Sequence, residues 1–233
     1  MLFFLPTVEN MLYTDFEDIV SQQRMARYLI ACADDKRRAI TLYRANIRLS
    51  NELFSILCMF EVAIRNSIDK HHKNKWGANW LFDATQVRGG FLRSAGCERS
   101  LENVQKVIAK LGASYSHDRA VTGLMFGFWT SQFATKEFAA AGSSLLNILP
   151  ARPFGTNQTK VFKKLTSINH IRNRIAHHEP ICFTAPTVIS TVYAEQQYNQ
   201  IIEVLQWLGI NPTSFLFGID GFLRKKELVD RLT

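Results

Sequence analysis

Long apolar runs are absent from this 233-residue chain, and so are paired cysteines. No stretch approaches the ~18–20 apolar residues that a membrane helix requires. The apolar start Met1-Leu2-Phe3-Phe4-Leu5 is stopped by Pro6 and then Glu9, well short of a signal-peptide core of about 7–15 residues. Cys32, Cys58, Cys97 and Cys182 lie far apart with no Cys-x-x-Cys pair. That spacing argues against a zinc ribbon or a disulfide framework and reads as the reduced thiols of a cytoplasmic chain. His-x-x-x-His and clustered Asp pairs are also missing, so neither a metal site nor a cofactor is expected. Without Gly-Lys-Ser/Thr, the Gly123 and Gly127 pair in its apolar surroundings reads as close helix packing, not as a phosphate loop. Carboxylates are the scarcer charge, 20 against 28 Lys and Arg, and the formal net charge of +8 favours polyanionic partners.

What the chain does have is helical periodicity. From Asp35 to about Lys75 there is no Pro or Gly, and apolar residues return at Tyr43, Ile47, Phe54, Leu57, Ile64 and Ile68. Steps that are sums of three and four predict one long amphipathic helix. A shorter helix precedes it, with Thr14 or Asp15 as N-cap and Glu17 and Asp18 in its first turn, where the helix dipole favours negative charge. Gly, Trp and Asn between Trp76 and Gly96 mark a long connection, and helical patterns continue over 98–111 and 119–149, ending at Pro150. Beyond the linker at 151–156, helices are expected over 158–178, over 187–208 and from Asp220 onward. Strand signals are nearly absent, so the predicted fold is all-α, a helical bundle with long antiparallel helices. The length suits a single domain over 1–233. Its parts are N-terminal helices at 14–75, a connection at 76–96, middle helices at 97–149, and the motif and C-terminal helices at 157–233.

The chemistry concentrates in Asn169-His170-Ile171-Arg172-Asn173-Arg174-Ile175-Ala176-His177-His178-Glu179-Pro180. Imidazole exchanges protons near neutral pH, and guanidinium is the permanent cation best shaped to hold a phosphate. Together they point to phosphodiester chemistry without metal. On an ideal helix, Val161, Leu165, Ile168, Ile171 and Ile175 form one buried stripe with Arg172 inside it. His177 projects about 140° away from Arg172, beside Asn173 and His170. One straight helix therefore cannot bring both groups onto one phosphate. Either Pro180 turns the helix end, or a second copy supplies the complementary half, which predicts a homodimer through the motif helix. His178, three residues after Ile175, reads as a packed or helix-capping histidine.

Glu61 is in phase with the apolar residues of the long helix, so its carboxylate should be partly buried and paired, with Arg65 or Arg172. A buried ion pair is thus the non-catalytic reading of Arg172. Ile64-Arg65-Asn66-Ser67-Ile68-Asp69-Lys70-His71-His72 repeats the later run with one inserted residue. It is either a second half-site, or Arg65 pairs with Glu61 while His71, His72, Lys73 and Lys75 make a solvated basic helix end.

These residues carry a resemblance. Ser21-x-x-Arg24 with Tyr28-Leu29, Leu42-Tyr43-x-x-Asn46, Leu49-Ser50, Glu61-x-x-x-Arg65-Asn66, Phe126-Gly127-Phe128-Trp129 and Ile171 to Ile181 make the chain similar, over most of its length, to the Abi-like (abortive infection) proteins. Those belong to the HEPN superfamily of all-α RNases and RNA-binding proteins. Arg172, Asn173 and His177 fit the superfamily pattern of Arg, a polar residue, three to five positions and His. Ala45 departs from it, since an aromatic often precedes the Asn there.

The resemblance implies a metal-independent endoribonuclease acting as a homodimer in a toxin-like or phage-defence role, restrained by an antitoxin or another regulatory partner. It equally admits a non-catalytic RNA-binding or partner-sensing protein of the same fold. In the catalytic version His177 takes the proton of a ribose 2′-OH, which attacks phosphorus and leaves a 2′,3′-cyclic phosphate and a 5′-OH. Arg172, with Arg174 in support, stabilises the phosphorane charge, and Asn173 orients the imidazole or a phosphate oxygen. Division of acid and base duties between His177 and His178 stays open. Lys160, Lys163, Lys164, Lys73 and Lys75 are the expected RNA-binding cations.

Overall fold

The structure, a computed structural model, describes residues 11–233, so the apolar Met1–Leu5 start lies outside the described residues. The fold is all-α with one small hairpin. In chain order the helices are α1 (Tyr13–Val20), α2 (Gln22–Ala31), α3 (Lys36–Trp76), α4 (Trp80–Asp83), α5 (Glu98–Leu111), α6 (His117–Gly123), α7 (Phe126–Ser131), α8 (Thr135–Ala140) and α9 (Gln158–Ala176). The antiparallel strands β1 (Phe183–Ala185) and β2 (Val188–Ile189) come next, then α10 (Val192–Trp207), α11 (Pro212–Phe215) and α12 (Phe222–Asp230). No helix among the described residues is long and apolar enough to cross a membrane. The sequence reads as one domain; the residues group into two compact units, each assembled from segments distant in sequence.

Among the described residues the first unit comprises 11–52, Pro180–Glu195 and Gly221–Thr233. Its core includes Met25, Tyr28, Leu42, Leu49, Phe183 and Val229. Tyr28 meets Tyr43 and Phe183 edge-on at 5.2 and 5.3 Å, the preferred geometry for aromatic pairs. Asn46, buried, accepts a 2.9 Å hydrogen bond from the Ile181 N–H, satisfying an amide that would otherwise be buried without a partner. Neither Thr14 nor Asp15 caps α1: Leu12 holds that position with no side-chain bond. Ser21 caps α2 instead, and Asp35 accepts from the Arg38 N–H at the start of α3.

The second unit comprises Leu53–Glu179 and Gln196–Asp220. Leu53, Ile56, Leu57, Phe60, Ile64 and Ile68 of α3, the α9 stripe, and Phe126 and Trp129 of α7 are all buried. α7 packs on α9, where a Cβ at Gly127 would lie 3.6 Å from Asn169 Nδ2, and one at Gly123 would lie 3.0 Å from Val107 Cγ1. Close packing of α6 on α5 explains Gly123, while at Gly127 a Cβ would make only ordinary van der Waals contact. Against α10, Lys164 pairs with Glu203 at 2.6 Å and Ser167 donates to Gln197 at 2.9 Å.

Four expectations require correction. The buried stripe of α3 runs through Leu42, Leu49, Leu53, Ile56 and Phe60, while Tyr43 and Ile47 are half-buried and Phe54 is exposed. Residues 119–149 form not one helix but α6, α7, α8 and a 3-10 turn at Leu145–Ile148. Leu124, Phe126, Phe128, Trp129 and Phe133, all buried, surround a straight helix instead of lining one face, so breaks are needed to bury them all. The 76–96 connection contains α4 and a 3-10 turn at Phe91–Arg93, anchored by buried Trp80, Leu81 and Leu92. Finally, 183–189 is a hairpin and α10 starts only at Val192; Thr184, Thr187, Val188 and Ile189 are β-branched residues that fit extended backbone better than helix.

Candidate active site on α3 and α9

The five-residue stripe of α9 is buried throughout, as its spacing predicts. Burying that stripe fixes the rotation of the helix, which puts Arg172 at the edge of the core and leaves Asn173 exposed. Opposite stands α3. Glu61 Oε2 lies 3.9 Å from Arg172 Nε, with the two side chains 23% and 31% exposed. That separation exceeds hydrogen-bond length, so Arg172 is held near the carboxylate without being consumed by it. Arg172 Nε is buried with no hydrogen-bond partner. Burial pushes the Glu61 carboxyl above its ordinary range, and the positive charges of Arg172 and Arg65 oppose that rise. One carboxylate thus feels the charge of two guanidinium groups, with Arg172 the one within ion-pair range.

The amides repeat the arrangement. Arg172 Nη1 donates to Asn173 Oδ1 at 3.4 Å, and Arg65 Nε donates to Asn66 Oδ1 at 3.4 Å. Cys58, exposed and three residues before Glu61, joins the cluster: burial and the Glu61 charge push its thiol pKa up while Arg172 opposes them. Sequence reasoning missed it, although its spacing from Glu61 placed it one helical turn away.

At its C-terminal end α9 stops by a defined device. His177 is the C-cap, His178 has φ of 57°, the His178 N–H donates to Ile175 O at 3.0 Å, and the Glu179 N–H donates to Arg174 O at 2.8 Å. These are the paired bonds of a Schellman motif with histidine in the left-handed position that glycine normally takes. His178 is therefore the capping residue of the chain reversal. Arg174 Nε faces Glu179 Oε2 at 3.3 Å. The His177 imidazole is exposed and has no hydrogen-bond or ion-pair partner among the described residues.

His72 is not with them. It is fully buried, its ring centroid lies 4.5 Å from that of Trp80, and neither ring nitrogen has a hydrogen-bond partner. Burial, assisted by the charges of His71 and Lys75, pushes its pKa down to about 3. The earlier run therefore divides: the Arg65 charge acts on Glu61 and Asn66 is exposed, while His72 belongs to the core. Next to it, Asp69 accepts from His117 Nε2 at 2.7 Å, from Trp80 Nε1 at 2.8 Å and from Lys73 at 2.9 Å. Burial alone would raise the Asp69 pKa, but these donors outweigh it and hold the pKa at about 2. His117 carried no sequence signal, because nothing in its spacing ties it to Asp69.

Four of the five expected RNA-binding lysines have partners in the fold, Lys160 donating to Gly155 O at 3.2 Å. Lys73 pairs with Asp69 and Asp118, Lys75 donates to the carbonyls of Ala141 and Gly142, and Lys164 pairs with Glu203. Lys160 and Lys163 remain exposed. No group of three or more His, Cys, Asp or Glu side chains among the described residues is placed to hold a metal ion.

No protein-family model, curated protein or solved structure matches the chain. The fold and the cluster define a class only: an all-α protein whose second unit sets Arg172 opposite Glu61 and, at the end of the same helix, exposes a histidine with no partner among the described residues.

Proposed function

We propose that this chain is a metal-independent endoribonuclease of the Abi-like HEPN kind, cutting RNA by attack of a ribose 2′-OH. The observation that carries the reading is the Arg172–Glu61–Arg65 cluster, in which Arg172 keeps a buried, unpartnered Nε at 3.9 Å from the Glu61 carboxylate. A guanidinium in that state is positioned yet free to tighten on a phosphate. Asn173 Oδ1 accepts from Arg172, which leaves its amide N–H groups as neutral donors for a phosphate oxygen.

His177 is the proposed general base. It takes the 2′-OH proton as the oxygen attacks phosphorus; the P–O5′ bond breaks, the leaving 5′-oxygen takes a proton from water, and the products carry a 2′,3′-cyclic phosphate and a 5′-OH. Arg172 offsets the charge that develops on the phosphorane, and Arg65 adds to the same field. Because His177 lies beyond the helix end while Arg172 faces α3, a homodimer apposing two motif helices is proposed to complete the site. Restraint in the cell by an antitoxin or a trigger, and a role in halting phage growth, belong to the same proposal. The test is incubation of purified chain with RNA in excess EDTA, comparing the parent with His177→Ala. Loss of cleavage with retained RNA affinity supports the assignment; equal cleavage by both refutes it, and binding without cleavage by the parent leaves an RNA-binding protein.

A further inference from the structure

One face of α9 is exposed and carries cations that no carboxylate of the described residues meets. The helix carries Lys160, Lys163, Lys164, Arg172 and Arg174 and no Asp or Glu in its 19 residues. Glu203, Glu61 and Glu179 face the last three of these cations. Lys160 and Lys163 are exposed, and no carboxylate of the described residues lies within ion-pair range of either. At 100° per residue, Lys163, His170 and His177 recur at seven-residue intervals within about 40° of each other. All three are exposed, as is Asn173 between the last two. The result is a polar line about 21 Å long from Lys163 to His177, with Lys160 about 60° to one side of its start.

The loop at its start is pinned. The Ala151 N–H donates to Trp207 O at 3.1 Å and the Thr156 N–H to Pro153 O at 3.1 Å. Arg152 Nη1 donates to the carbonyls of Leu146 and Leu149 at 2.9 and 3.0 Å, and Lys160 Nζ donates to Gly155 O at 3.2 Å. Between these anchors Phe154 stands wholly in solvent, at 107% relative exposure. An exposed aromatic ring on this anchored loop, one residue before the Gly155 carbonyl that Lys160 meets, with exposed Lys163 one turn further along α9, combines the two elements that single-stranded nucleic acid recognition needs, a stacking surface and phosphate-binding cations.

We propose that this face binds single-stranded RNA: Phe154 stacks one base, Lys160 and Lys163 hold the adjoining phosphates, and the strand runs along α9 past His170 to the Asn173–His177 end. The inference rests on the endoribonuclease reading and deepens it by naming the substrate as an unpaired strand several nucleotides long.

The test is fluorescence anisotropy with a 2′-O-methyl oligoribonucleotide, titrated at several salt concentrations. That probe has no free 2′-OH, so binding is measured whether or not the chain cleaves RNA, and failure of the cleavage reading leaves the result intact. Phe154→Ala is expected to weaken binding about tenfold, the loss typical of one stacked base, while Phe154→Trp retains it. Lys160→Ala with Lys163→Ala should lower the slope of log affinity against log salt by roughly 0.7 per lysine. These side chains are exposed, so the variants are expected to keep the parent's circular dichroism. Parental affinity in Phe154→Ala, including the case in which Phe154 instead governs binding of a protein, overturns the proposal, as does an unchanged salt slope in the double lysine variant.

Discussion

The two Arg-Asn…His-His runs are built from nearly the same residues and meet opposite fates. In α3 the helix continues through His71 and His72 to Trp76, so His72 turns into the core against Trp80 and Phe91. In α9 the helix stops at Ala176, and His177 is left in solvent. In each run the arginine donates to the asparagine that follows it; His72 is fully buried and His71 half-buried, whereas His177 and His178 are both exposed. The residues just beyond each histidine pair make the difference. Pro180 disfavours helical backbone at Glu179, and the chain reverses over His178, whereas nothing after His72 interrupts the helix before Gly77. Residue pattern sets which groups are present, and the stop signal sets which are exposed.

The largest effect should separate the two histidines. His177→Ala is expected to lower cleavage by roughly 10²–10⁴, the usual worth of a general base, with RNA affinity changed only a few-fold; His72→Phe should leave cleavage near the parental rate. Equal losses in both variants would erase the distinction between the runs.

Next come the arginines. Arg172→Ala should cost about 10²–10³ in rate, as expected for a donor to a developing oxyanion. Arg172→Lys should recover little of it, because the planar fork is lost. Arg65→Ala should cost less, since Arg65 lies on the Glu61 side of the pair. A greater loss at Arg65 would exchange the roles of the two runs.

A third effect is on stability in acid. The folded pKa of His72 is depressed to about 3 from an ordinary 6.5 in the unfolded chain, so below that value the unfolded state binds the extra proton. Stability therefore falls as pH drops from about 6.5 toward 3, by on the order of 2 kcal/mol between pH 7 and 5. His72→Phe should flatten that slope, because it removes a titrating ring with no hydrogen bond to lose. Asp69, held at about 2, contributes stability above its ordinary pKa of 3.8, and this is lost only as pH falls toward 2. Urea unfolding at several pH values separates the two; an unchanged slope between pH 6.5 and 5 in His72→Phe would contradict the burial argument.

The smallest effect is at the turn. His178 occupies the left-handed region with φ of 57°, which costs a residue with a Cβ more than glycine. His178→Gly should therefore raise stability by about 0.5–1 kcal/mol, or roughly 1–4 °C in Tm, with cleavage retained. Calorimetry showing a lower Tm would mean that the imidazole itself secures the turn.

Much of the fold is legible in the residues alone where periodicity is strong. The extent of α3 is set by 41 residues without a breaker, and the α9 stripe by five aliphatic residues at helical spacing. Glu61 beside Arg172 is legible too, because each falls on the edge of an apolar stripe. The features that escape such a reading depend on neighbours far away in sequence. The break at Leu124–Met125 is decided by where the aromatic and aliphatic groups around it can be buried, and the hairpin at 183–189 by local β-branching that helical periodicity overlooks. His72 and His177 look alike in a linear motif; only the packing of Trp80 and the turn at His178 tell them apart.

Cleavage through the ribose 2′-OH is tested most directly by treating total RNA with the purified chain in excess EDTA and identifying the ends of any fragments. The predicted products carry 2′,3′-cyclic phosphate and 5′-OH ends, with DNA of the same sequence left intact. Fragments bearing 3′-OH ends, or cleavage abolished by EDTA, would contradict that mechanism.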